Sequence, residues 1–154
     1  MNFKSVLRVD GSTCLAVGKV PTISDIEMLS AVGINVVINL LTLDEMRELK
    51  QFSLDTWNKV YYHFPIHPGR TPSLKTLNCF IKIIGSHLQQ KNSVYIFGRT
   101  GLGRCALISS MCAFAYGKSL TEVDKFFNKT TYSKSQRRVI LEYYTLCHQH
   151  LESI

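Results

Sequence analysis

The sequence predicts an α/β fold in a single domain over residues 1–154, with a central, mostly parallel sheet flanked by helices. Strand-like and helix-like segments alternate along the chain, which favours parallel strands joined by helical crossovers. The run Ile34–Leu40 is β-branched and apolar almost throughout, as expected of a strand covered on both faces. Most of the predicted helices open on a hydroxyl residue followed three positions later by Glu or Gln, the signature of a capping box.

Taken in order, Thr13–Gly18 reads as an edge strand. Ser24 and Glu27 form the first box, and the helix they open ends at Gly33, where a left-handed residue closes the last turn. The strand Ile34–Leu40 follows, then a second box, Thr42 with Glu45, that starts a helix running to about Leu54. Val60–Ile66 is the next strand. Pro65, Pro68 and Pro72, with Gly69 between them, punctuate a loop. Ser73 caps a long helix whose Leu74, Leu77, Ile81, Ile84 and Leu88 make one apolar stripe. Ser93–Phe97 is a short apolar strand, followed by a glycine-bearing loop and a small-residue, apolar helix to about Tyr116. Ser119 with Glu122 and Ser133 with Gln136 open the last two helices, the final one reaching about His150.

A length of 154 residues, 45% apolar and 19% charged, describes one globular domain rather than a disordered or fibrous chain. No apolar run is long enough to be a transmembrane segment, and the N-terminus has no secretory signal, so a cytoplasmic location is expected. The five cysteines, Cys14, Cys79, Cys105, Cys112 and Cys147, are scattered without CxxC spacing and read as reduced residues, neither a disulfide framework nor a zinc site. Cys147, His148 and His150 lack the i,i+4 spacing of a helical zinc pair, and no metal or cofactor is expected. The net charge of +7 favours anionic partners, but no nucleic-acid recognition motif is present.

Val94 to Ala106 carries the most information. A buried strand leads into Gly98-Arg99-Thr100-Gly101-Leu102-Gly103-Arg104, which feeds the N-terminus of a helix. Glycines at 98, 101 and 103 allow successive N–H groups to turn inward as an anion nest, and the helix N-terminus adds partial positive charge. Arg104 offers a planar fork to a tetrahedral oxyanion. These residues make either a phosphate-binding cradle or a glycine-rich turn that binds nothing. A P-loop needs a lysine after its second glycine, and the dinucleotide fingerprint has a different glycine spacing; both are excluded.

The loop resembles the signature H-C-x-x-G-x-G-R-[ST] of the Cys-based protein tyrosine phosphatases, in their small atypical dual-specificity branch. Gly101, Gly103 and Arg104 fall on its last glycines and its phosphate-binding arginine. Gly18-Lys19-Val20-Pro21 through Leu40 is similar to the family's opening segment. His63 through Ser73 is similar to its general-acid loop, and Gln136 falls near its glutamine. The resemblance implies a dual-specificity phosphatase-like fold.

It also implies that the machinery is missing. The nucleophilic cysteine corresponds to Gly98, the histidine before it to Phe97, the general-acid aspartate to Pro68, and the hydroxyl after the arginine to Cys105. Covalent catalysis needs a nucleophile, and glycine has none. The expected function is therefore that of a pseudophosphatase in signalling, a binding module that holds a phosphorylated protein or peptide, or a phosphoinositide, on the 98–104 loop. Two alternatives stand beside it: a scaffold or competitor that does not use the loop, and a residual phosphatase working through His67, Cys105 or an activated water.

Overall fold

The structure is a computed structural model that describes residues 3–49, 54–99, 102–127 and 131–152. Its strands are β1 (Phe3–Arg8), β2 (Cys14–Gly18), β3 (Ile34–Asn39), β4 (Val60–His63) and β5 (Ser93–Phe97). They form one sheet in the order β1-β2-β5-β3-β4. β2, β5, β3 and β4 run parallel, and β1 is antiparallel to β2. The predicted mixed α/β sheet is therefore present, with β5 at its centre.

Helices α1 (Ile23–Ala31), α2 (Leu43–Glu48), α3 (Leu74–Gln89), α4 (Gly103–Ala115), α5 (Leu120–Asp124) and α6 (Lys134–Glu152) complete the chain. Successive strand residues feed two cores, because side chains alternate across a sheet. Val36, Ile38, Val94 and Ile96 pack with α3 and α4, including Leu77, Ile84, Leu107 and Met111. Val37, Tyr95 and Phe97 pack on the other face with Ile26 and Leu29 of α1 and with Trp57. Helix α4 is buried from Arg104 to Phe114. That explains its small and apolar composition: it has no solvent face to make polar.

Several boundaries differ from the sequence expectation. β2 is not an edge strand, because β1 covers it. The segment Phe3–Arg8 escapes a reading of period two, since a bulge between Ser5 and Leu7 leaves Val6 and Leu7 both buried. Helix α1 is capped by Thr22 and Asp25, not Ser24 and Glu27. The same reciprocal pattern is available two residues earlier, and that start lets Ile26 and Leu29 reach the core. α2 stops at Glu48, where Leu49 turns extended with ψ 95°; the expected remainder up to 53 lies outside the described residues. β4 ends at His63, although the chain stays tied to β3 through Phe64 N–H to Asn39 O (2.8 Å) and Ile66 N–H to Leu40 O (3.0 Å). The Thr42–Glu45 and Ser119–Glu122 boxes form as expected. So does the α6 start, with Gln136 N–H donating to Ser133 Oγ and Ser133 N–H to Gln136 Oε1. Gly33 takes the left-handed conformation, φ +94°, that ends α1.

Candidate functional site

The loop that follows β5 leaves the sheet at its centre, at the carboxyl end of the parallel strands, where open α/β sheets place their ligand crevices. Leu40 N–H donates to Phe97 O (3.0 Å), which carries the β3–β5 pairing to the last residue before the loop. Phe97 is wholly buried, stacked with Tyr95 at 6.2 Å between ring centroids, so its ring belongs to the core. Gly98 comes next. Its backbone is not left-handed, and a Cβ built on it would lie 3.5 Å from Arg104 Nε and 3.7 Å from Nη2, in ordinary van der Waals contact. Gly98 and Arg104 therefore face each other as the resemblance implies. Of the other residues expected to bind phosphate, Arg99, Leu102 and Gly103 lie on the described part of the loop, and Thr100 and Gly101 lie outside the described residues.

Helix α4 begins on this loop with Leu102 at its N-cap position and no side-chain cap. Its first N–H groups thus lie at the loop without a side-chain acceptor among the described residues, the condition in which a helix N-terminus attracts an anion. Gly103 is tightly packed. A Cβ there would meet Gln136 Oε1 at 2.7 Å and Thr131 O at 3.1 Å, so a side chain would force the Gln136 amide and the Thr131 carbonyl to shift.

Arg104 is buried, and one side of its guanidinium is fully engaged. Nη1 donates to Glu45 Oε1 (2.6 Å) and Ile66 O (2.8 Å), and Nη2 to Glu45 Oε2 (2.9 Å). The Nε–Nη2 edge, nearest Gly98, has its Nε–H and one Nη2–H without an acceptor among the described residues. This is the fork that suits two oxygens of a phosphate. The Arg104 guanidinium, with the amide of Thr42 in support, holds the Glu45 carboxyl far down, at about 2. One turn along α2, Glu48 forms an ion pair with Arg99. Both loop arginines are thus matched by carboxylates of one short helix. The sequence reading took Glu45 only as a capping residue and did not single out Glu48. Their i,i+3 spacing was the available signal, but nothing in the sequence says that α2 lies against the loop.

Cys105 sits behind the loop, 1% exposed, with its Sγ 3.8 Å from Ile96 O. Burial pushes that thiol up to about 12, against the opposing pull of Arg104, so it stays protonated near neutrality. The loop after β4 is anchored at Ile66 and then turns outward: His67, Pro68, Gly69 and Arg70 are exposed. His67 shares a shallow groove with Thr42, Asp44 and Arg47. The Ser133 and Ser135 hydroxyls donate to Gly69 O at 2.8 and 3.3 Å, which pins this loop to the start of α6. Gln136, 1% exposed, is turned into that junction, within reach of Arg70 O (3.5 Å). His63, the first residue of the segment similar to the general-acid loop, donates from Nε2 to Leu41 O (2.6 Å) and steadies the turn into α2. Among the described residues no cluster of His, Cys, Asp and Glu is arranged to hold a metal ion, and no helix is long and apolar enough to cross a membrane.

Residues 14–115 match the Tc-R-P family model, described as a DSP-PTPase phosphatase of polymorphic toxin systems. No curated protein matches the chain. Solved structures with the same fold include Tk-PTP in a mutant form, at TM-score 0.75 and 22% identity over 94% of this chain and 97% of that one. Kinase-associated phosphatase with its catalytic cysteine replaced by serine matches at TM-score 0.76 and 18% identity, over 95% and 94%. A variant of human DUSP28 matches at TM-score 0.68 and 14% identity, over 96% and 99%. At these identities the structures establish the fold. Since the family model covers most of the chain, the protein belongs to the Tc-R-P family of DSP-PTPase phosphatases, built on the dual-specificity and tyrosine phosphatase fold.

Proposed function

We propose that this member of the family does not hydrolyse phosphate esters through a cysteine and instead binds a phosphate-bearing partner, a phosphorylated protein or peptide, on the 98–104 loop. The observation that carries the reading is the pairing of Gly98 with the Nε–Nη2 edge of Arg104, which has no acceptor for its Nε–H among the described residues, a Cβ position only 3.5 Å from Nε. The place that faces the anion fork has no side chain and so no nucleophile. The neighbouring thiol, Cys105, is buried and neutral. A bound phosphate would take the Nε–Nη2 edge and the uncapped N–H groups of α4, while Glu45 keeps the guanidinium in plane from its other side. Glycine in place of a thiolate also removes a negative charge that a dianion would otherwise have to approach.

The test is a titration of the wild-type chain with inorganic phosphate and with a phosphotyrosine peptide, followed by amide signals of Gly98, Arg99 and Leu102–Cys105. Those signals should move, and Arg104→Lys, which keeps a charge beside Glu45 but loses the fork, should weaken binding by roughly tenfold. Unmoved signals would defeat the binding reading.

One observation favours a second reading. Arg104 and Arg99 are both paired with carboxylates of α2, so the four charges at the loop sum to zero. A scaffold that contacts its partner elsewhere needs no open cradle. It would bind equally well with Arg104 or Lys at that position.

A further inference from the structure

We propose that the groove beside the N-terminus of α6 is a docking site for an acidic, extended segment of another protein. It goes beyond the phosphate-binding reading and does not depend on Arg104. The groove, of about 390 Å³, is lined by Tyr132, Ser133, Lys134, Arg137, Arg138 and Leu141. Arg137 is fixed in its wall: it makes a two-point pair with Asp124, at 2.9 and 3.2 Å, and its guanidinium lies 5.5 Å from the centre of the Tyr132 ring.

Lys134 and Arg138 differ from it. Both are exposed, they stand one helical turn apart, and neither has an ion pair among the described residues. Glu142, the next residue in that i,i+4 series, makes no ion pair with Arg138. Like charges at this spacing repel each other, and neither is held in an ion pair among the described residues. The positive end of the helix dipole lies at the same place and adds to the field. Carboxylates laid between the two side chains would relieve the repulsion and be held from both sides. Leu141, three residues on and 40% exposed, gives the segment an apolar contact at the end of the groove. The site adjoins the 67–70 loop through the Ser133 hydroxyl, which donates to Gly69 O. The charge pattern therefore fits an occupant with neighbouring acidic residues beside an apolar one, without need of phosphate.

The experiment measures fluorescence anisotropy of a fluorescein-labelled, unphosphorylated peptide carrying Glu-Asp-Glu followed by Leu. Wild-type protein should bind it, more weakly as salt is raised. The double variant Lys134→Glu, Arg138→Glu should weaken binding by roughly tenfold, and Lys134→Gln, Arg138→Gln by less, since each rim pair contributes modestly. Leu141→Ala should give a smaller loss, and Arg104→Lys none. Lys134, Arg138 and Leu141 are exposed, so thermal unfolding of their variants should stay at the wild-type midpoint and separate docking from folding. The proposal is overturned if the charge-reversed variant binds the peptide as wild type does, or if Arg104→Lys abolishes binding. It is also overturned if the wild type ignores the peptide but binds phosphatidylserine vesicles through Lys134 and Arg138.

Discussion

Arg104 illustrates how one buried charge links stability to the site. Its partner Glu45 is almost buried, and a charge left alone there is costly, so Glu45→Ala should destabilise the fold by about 3–5 kcal/mol. The pH dependence follows from the carboxyl, which titrates near 2 when folded against an ordinary 4.5. Stabilisation by the pair, on the order of 3 kcal/mol, is complete above pH 4.5 and disappears as pH falls towards 2. Urea unfolding of wild type and Glu45→Gln should therefore differ at pH 6 and converge only as pH falls to about 2. Cysteine chemistry gives a second check at this scale. Cys79 is exposed, whereas Cys105 and Cys112 are buried with their thiols pushed up. Iodoacetamide at pH 8 should label Cys79 in the native protein and spare the other two, and mass spectrometry of the digest decides it.

The two glycines that flank the loop make opposite demands on their elements. Gly98→Ala adds a methyl with ordinary contacts and an unstrained backbone, so its melting temperature should match wild type. Gly103→Ala drives a methyl against Gln136 Oε1 and the carbonyl of Thr131, and overpacking of that kind costs about 1–3 kcal/mol. Thermal unfolding of the two variants side by side checks the contrast. The elements themselves were largely legible in the sequence. Strand β3, the Thr42 and Ser119 boxes and the stripe of α3 announce themselves by local pattern, and the loop by its glycines and Arg104. What was not legible depends on contacts distant in sequence. Strand β1 hides its period behind a bulge. The roles of Glu45 and Glu48 depend on α2 folding against a loop more than fifty residues later, and the role of Ser133 depends on Gly69.

For the whole molecule, the question is whether a phosphatase fold with glycine at position 98 keeps a working cradle. Gly98→Cys falls where a Cβ makes ordinary contacts with Arg104, and Pro68→Asp falls on an exposed position, so both should fold like wild type. Phe97→His would place an imidazole among Tyr95, Ile26 and Leu29, with a cost of about 1–3 kcal/mol, and restoring activity should not require it. Pro68→Asp should matter mainly for poor leaving groups, where a general acid contributes about 10²–10⁴-fold. Hydrolysis of p-nitrophenyl phosphate by wild type and Gly98→Cys, with and without vanadate, is the most direct measurement. Wild type should show no turnover above buffer and Gly98→Cys a weak, vanadate-sensitive rate; vanadate-sensitive turnover by the wild-type chain would contradict the loss of catalysis.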